Sequence, residues 1–479
     1  MTKRQSAITT YSVRPKPLPF LKEQLRLFAF NGSPPPSKRA VERAQRELSK
    51  RERLAILLAG ELNFHGEGTG YASHDLHAFA AKFPPQLPRA FIRGLTKPGD
   101  IVLDPMMGSG TAVVEALIEG RRGIGLDIDP LALRLSHVKT TPLDAETLRA
   151  AGSKVALQAI NLAADGKKID RALASRFDER TRAFVDYWFA ERTQRELMAL
   201  VLTIQGVTDP SVRRFLELTF SSIIITKSGG VSRARDLAHS RPHLDSTKIP
   251  KNAIEQFSLR LRKNLASIAE LKTNGAMATA VAGDARSMPF GNDTIDLIVT
   301  SPPYANAIDY MRAHKFSLVW LGESVEDLSQ LRAEYIGSER RDQHTQPQLP
   351  ERPETIIRQL AERDTSKAAI LRKYLLEMRS VLAEMYRVLC RDSAAIVVVG
   401  TSMMRDLDVQ THYCLADIAA ELGFAVVGVA QRKLDRNKRM MPARFGRKTD
   451  SMIEQRMHEE YVIGLLKHKD PREGPRRRL

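Results

Sequence analysis

The chain has 479 residues, 27% of them charged and 43% apolar, which argues against wholesale disorder and leaves room for one large domain with insertions or for two or three ordinary ones. Lysine and arginine number 74 against 56 aspartates and glutamates, a net charge of +18 with a pI near 9.9, which is the footprint of a polyanion binder such as nucleic acid. Only Cys390 and Cys414 occur, at no metal-ligand spacing, which argues against a zinc site and a disulfide framework; with no apolar leader or membrane-length apolar run, a cytoplasmic, nucleoid-associated protein is expected.

Residues 1–40 are basic and proline-rich and end in Ser33-Pro34-Pro35-Pro36, the composition of an extended arm. Residues 38–58 read as a charged helix with an apolar stripe through Val41, Ala44, Leu48 and Leu54, so 1–60 forms a first unit that packs on the rest or contacts phosphate. In 61–141, Ile101-Val102-Leu103-Asp104 is a short buried strand, followed by a glycine-rich turn, a helix over 111–119 and a second strand over 123–127. That is a βαβ unit whose right-handed crossover sets the strands side by side, with a ligand expected at their carboxyl ends. Over 142–272 the pattern turns helical, most clearly in 182–205 and 253–271, with a basic loop around Gly229-Gly230 between them. The strand rhythm resumes in 273–466, at 278–282, 295–300, 394–399, 425–430 and 460–466, before a basic tail at 467–479. The fold class is therefore α/β, a doubly wound sheet interrupted by a large helical insertion. Residues 323–364 read as a polar surface insertion.

Two strand ends carry chemistry. In Asp104-Pro105-Met106-Met107-Gly108-Ser109-Gly110-Thr111 the two glycines permit positive φ and close backbone approach, the helix start offers N–H groups, and Asp104 is placed to meet a cation. Asp127 closes the second strand about 20 residues after the turn, where a carboxylate meets the hydroxyls of a ribose; Asp129 either shares that role or caps the helix beginning at Pro130. Two adjacent carboxylates would repel a pyrophosphate, which disfavours a dinucleotide. The other strand end is Thr300-Ser301-Pro302-Pro303-Tyr304. Its prolines remove two amide donors and leave rigid carbonyl acceptors suited to an –NH₂ group, beside a ring that can stack on an unpaired base.

These motifs resemble those of the DNA amino-methyltransferases, which methylate cytosine N4 or adenine N6. DPMMGSGT is similar to their cofactor loop, with Met106 where phenylalanine is usual, and TSPPY is similar to their catalytic loop, in the serine form commonest among cytosine-N4 enzymes. Lys82-Phe83-Pro84-Pro85 and Gly283-Asp284-Ala285 resemble two further cofactor-binding segments. The resemblance implies a Rossmann-like class I methyltransferase sheet and S-adenosylmethionine as cofactor. It implies that Phe83, Asp104, Gly108, Ser109, Gly110 and Thr111 hold the methionine part, Asp127 the ribose and Asp284 the adenine, while Ser301, Pro302, Pro303 and Tyr304 grip a flipped DNA base. It also implies a cognate restriction endonuclease as partner, and makes 142–272 a candidate target-recognition region.

An aromatic amine is a poor nucleophile because its lone pair is delocalised. Ser301 and the Pro302 carbonyl can accept its two hydrogens and direct the lone pair at a methyl donor. Neither cysteine sits in a Pro-Cys loop, so the covalent route of carbon-5 methylation is not expected. Cytosine N4 is the expected target; adenine N6, or a base amine in RNA, is the alternative. The basic run 431–448, with eight basic residues against one acidic, and Arg476-Arg477-Arg478 are further phosphate-binding candidates. A local structural role is expected for His314 and Asp309.

Overall fold

The computed structural model describes residues 48–79, 82–226, 230–235, 237, 242–273, 275–305, 309–337, 347–400, 402–434 and 459–468. The proline-rich arm, part of the Gly229 loop, most of the basic run and the arginine tail lie outside the described residues. In chain order the first elements are α1 (Lys50–Ala59), α2 (Gln86–Leu95), β1 (Ile101–Asp104), α3 (Thr111–Ile118), β2 (Arg122–Asp127) and α4 (Pro130–Thr140). The inserted helices follow: α5 (Ala145–Ala164), α6 (Gly166–Arg176), α7 (Glu179–Trp188), α8 (Glu191–Gln205), α9 (Pro210–Ile224) and α10 (Ala253–Ala269), with a small hairpin of β3 (Ala234–Arg235) and β4 (His243–Leu244) before α10. The rest comprises β5 (Ala278–Ala282), β6 (Ile295–Thr300), α11 (Met311–Leu318), α12 (Val325–Glu334), α13 (Glu351–Ala361), α14 (Thr365–Val388), β7 (Leu389–Gly400), the hairpin of β8 (Met403–Met404) and β9 (Leu407–Asp408), α15 (Thr411–Glu421), β10 (Phe424–Lys433) and β11 (Glu459–Lys467).

One seven-stranded sheet runs in the order β10-β11-β7-β6-β1-β2-β5. The pairs from β7 through β6, β1 and β2 to β5 are parallel, and β11 runs antiparallel to both β7 and β10. The chain moves from β1 outward to β2 and β5, then returns to β1's other side for β6. That reversal opens a crevice at the carboxyl ends of β1 and β6, where doubly wound sheets bind ligands.

The central strands are buried on both faces and so read as continuous apolar runs rather than as alternation. Along β7, Ala395, Val397 and Val399 pack with Leu103 and Ile298 beneath α14 and α15, while Ala394, Ile396 and Val398 pack with Val102, Leu297 and Val299 beneath α1, α2 and α3. Helix α1 belongs to this second layer. Ser49 accepts from the Glu52 amide, and the Glu52 carboxylate accepts from the Ser49 amide, a capping box that starts the helix at Lys50. Of the helix expected over 38–58, the described part begins at Lys50, residues 38–47 lying outside the described residues, and Leu54 and Leu58, one turn apart, bury against Gly464 of β11.

The inserted helices share their core with α4 and α11. Leu131, Leu135, Phe316 and Trp320 pack with Leu197, Phe215, Phe220 and Phe257. The helical pattern over 182–205 breaks into α7 and α8 because Phe189 turns extended, which sends its ring inward against Phe316 and Trp320. Residues 323–364 are not a mere surface insertion: Val325, Leu328, Ile356, Ile357 and Leu360 are buried in the two main cores. Among the described residues, no helix is long and apolar enough to cross a membrane.

Candidate active site at the carboxyl ends of the central strands

Four adjacent parallel strands, β5, β2, β1 and β6, end on one cleft with about 870 Å³ of empty space including its open mouth. Its lining includes Phe83, Asp104, Gly108, Ser109, Thr111, Asp127, Asp284, Ser301 and Pro303, so residues from both halves of the sequence meet there. Gly110, Pro302 and Tyr304 do not line it. Gly110 lies behind the loop at φ +73°, where an added Cβ would stand 2.8 Å from Ser136 Oγ, and it forms the N-cap of α3. Pro302 is buried. The Tyr304 ring packs on Gly400 at the end of β7, and its hydroxyl donates to Glu460 Oε1 at 2.8 Å.

The loop after β1 is held by backbone contacts that the sequence makes possible. Met107 N–H donates to the Leu126 carbonyl and Gly110 N–H to the Met107 carbonyl, while Gly108, at φ +46°, points its N–H at Asp127 Oδ2 over 2.8 Å. From below, the fully buried Lys139 donates to the Ser109 carbonyl at 2.8 Å; burial holds this ammonium well below its ordinary pKa.

Three carboxylates differ by environment. Burial, with the Asp127 charge nearby, pushes Asp104 up to about 7, although Met106 N–H donates to it. Asp127 is pushed up to about 6 by burial and by Asp129, against the stabilising amides of Gly108 and Asp129. Burial alone would raise Asp129 too, but His314 and the amides of α4 outweigh it and hold its carboxyl below the usual range. Asp129 caps α4 through Leu131 and Ala132 and receives His314 Nδ1 at 2.6 Å, so of its two expected roles the structure shows the cap. His314 is buried as the strut between α11 and that cap, and Asp309 pairs with Arg312 and Arg332.

The sequence reading missed much of the aromatic wall. Phe79 and Tyr310 stack with centroids 5.5 Å apart, Phe79 against Gly108, and both line the cleft beside Met106. Phe79 lies four residues before the predicted Phe83, a proximity that could have flagged it. Glu334, Tyr335 and Ile336 form a further stretch of lining, and nothing local in their polar surroundings marks them. The Asp284 carboxylate is held by Arg286, a partner the sequence did not suggest. Arg432, at the start of the basic run, is buried against Glu460 and the Leu62 carbonyl, so it is not a phosphate contact.

Comparison with known proteins agrees with this geometry. The DNA methylase family model matches residues 39–137, which contain β1, the glycine loop and β2. The type II methyltransferase M.MvaI of Kocuria varians is 24% identical over 405 residues, covering 79% of this chain and 87% of that protein. The type II methyltransferase M.BsoBI of Geobacillus stearothermophilus is 24% identical over 260 residues, half of each chain. M.BglI of Bacillus subtilis is 51% identical over a 57-residue stretch, 12% of this chain and 16% of that protein. The family match thus marks residues 39–137 as a DNA methylase segment, and the sheet order, the two loops facing one cleft and these relatives agree in making the chain similar to the type II DNA methyltransferases.

Proposed function

We propose that this chain methylates the N4 amine of cytosine in DNA, as the modification partner of a cognate restriction endonuclease. When bound, S-adenosylmethionine supplies an electrophilic sulfonium methyl. The cleft suits that group: Asp104 is a buried carboxylate that no basic side chain pairs among the described residues, an acceptor for the methionine ammonium. Phe83, Ser109 and Thr111 line the cleft with the glycine loop, and Asp127 and Asp284 line it too, where they would accept from the ribose hydroxyls and the adenine amine.

The observation that carries the base assignment is Ser301, a neutral hydroxyl lining the cleft at the end of β6, the strand beside β1. A hydroxyl accepts one amine hydrogen and donates to the cytosine ring nitrogen; a carboxylate could only accept and would repel that lone pair. The Pro302 carbonyl takes the second amine hydrogen, so the nitrogen lone pair is aimed along the transfer line. On this reading Tyr304, two residues past Pro302 and just outside the cleft lining, is the stacking platform for the flipped base, and its ring would have to leave its packing on Gly400, and its hydroxyl Glu460, to meet that base. The inserted helices α5–α10 are the target-recognition region on this reading.

Reaction with isotope-labelled cofactor followed by nucleoside mass spectrometry tests the assignment. Label in N4-methylcytosine is the expected result. Label solely in N6-methyladenine would overturn the base and keep the mechanism; label in 5-methylcytosine would overturn both.

A further inference from the structure

We infer that Arg286 is a positioning residue that sets the affinity for the methyl donor by fastening together two walls at one end of the cleft; this rests on reading the cleft as the S-adenosylmethionine site. Arg286 stands two residues beyond Asp284, in the turn after β5. Its Nε lies 3.0 and 2.9 Å from the two Asp284 oxygens and its Nη2 2.7 Å from Oδ2, while its own backbone N–H donates to Oδ1 at 2.8 Å. The same guanidinium reaches across the cleft's edge. Nη2 donates to the Glu334 carbonyl at 2.9 Å and Nη1 to Glu377 Oε1 on α14 at 3.0 Å. The other oxygen of Glu377 accepts the Gly337 amide at 2.8 Å, and Lys373 stands 3.5 Å from Oε1. Glu334, Tyr335 and Ile336, all lining the cleft, are therefore tied down at both ends by one arginine–glutamate pair.

The consequence is preorganisation. An aspartate offers about four lone-pair sites, and the arginine fork fixes the carboxylate's plane before any ligand arrives. A strip of chain held at both ends need not be ordered when the cofactor binds, and ordering costs affinity. A lysine cannot substitute, because a single ammonium cannot reach Asp284, Glu377 and the Glu334 carbonyl together as the planar fork does.

The test uses the full chain and S-adenosylmethionine alone, by titration calorimetry, with Arg286→Gln, Arg286→Lys, Glu377→Gln and, as controls on the site, Asp127→Ala and Asp284→Ala. Arg286→Gln should weaken binding on the order of tenfold or more, and Arg286→Lys should recover only a minor part. In both, KM for the cofactor should rise while KM for DNA and kcat at saturating cofactor stay within about twofold of wild type, a split that general destabilisation would not give. Hydrogen exchange without ligand should be faster at 334–337 in Arg286→Gln and in Glu377→Gln, the latter keeping the arginine should the former not fold. Wild-type affinity in Arg286→Gln, or unchanged exchange in Glu377→Gln, overturns the proposal if Asp127→Ala and Asp284→Ala still lose affinity. Unchanged binding in those two controls overturns the cofactor-site reading instead.

Discussion

Asp104, the proposed acceptor for the methionine ammonium, shows how burial makes a carboxylate's charge depend on pH near neutrality. Its pKa in the fold, about 7, stands above the ordinary value of about 4, so the folded protein holds a proton there that the unfolded chain has released. Between those values stability without ligand falls as pH rises. A bound ammonium favours the ionised form, so cofactor binding should release a proton below about pH 7 and tighten as pH rises through that range. Asp104→Asn is expected to raise the melting temperature of the ligand-free protein at about pH 8, to weaken cofactor binding, and to flatten most of the affinity change between about pH 6 and 8. Calorimetry in buffers of different ionisation enthalpy measures the proton release. The slope that remains belongs to Asp127, pushed up to about 6.

At the scale of elements, the cofactor loop is only as well placed as α3 is against β2. Gly123 makes their close approach possible: a Cβ there would sit 2.8 Å from the Val113 carbonyl oxygen and 3.1 Å from Val113 Cγ1, and the nearer atom is backbone that cannot rotate away. Gly123→Ala should therefore displace α3 and cost about 1–3 kcal/mol of stability by denaturant unfolding, with weakened cofactor binding as a second readout. Elements of this kind were legible in the sequence. Ala278–Ala282 and Ile295–Thr300 were read with the bounds the structure has, because short apolar runs ending in Gly-Asp or Pro-Pro are local signals. The cleft residues at those strand ends were legible for the same reason. What stayed hidden depends on contacts between distant segments: the α7–α8 break goes with the rings of Phe316 on α11 and Trp320 just beyond it, the insertion of β11 between β7 and β10 with sheet pairing, and the strip 334–337 with Arg286 and Glu377, 40 or more residues away.

Across the whole molecule the positive charge is unevenly distributed. Residues 1–47, 435–458 and 469–479 carry net charges of +7, +4 and +3, fourteen of the eighteen excess positive charges. The sequence that builds the sheet and the cleft is close to neutral, so most of the excess charge that could meet phosphate lies outside the sequence that forms the cleft. DNA affinity should accordingly fall by tenfold or more between about 50 and 200 mM salt through counterion release, while cofactor affinity, set inside a partly closed cleft, changes little. Fluorescence anisotropy with a labelled duplex at several salt concentrations measures the first; a flat profile would leave the charge without a phosphate partner. The insertion between β2 and β5 has a consequence in time as well as in space. Asp127 and its partner Ala282 are paired neighbours in the sheet but stand 155 positions apart in the chain. Closing so long a loop carries an entropic cost that rises slowly with length, and non-local pairing of this kind slows folding. Docking of the strand that leads to Asp284 is therefore expected among the slower steps of folding, and a ligand that bridges β2 and β5 would select and hold the finished sheet as it emerges.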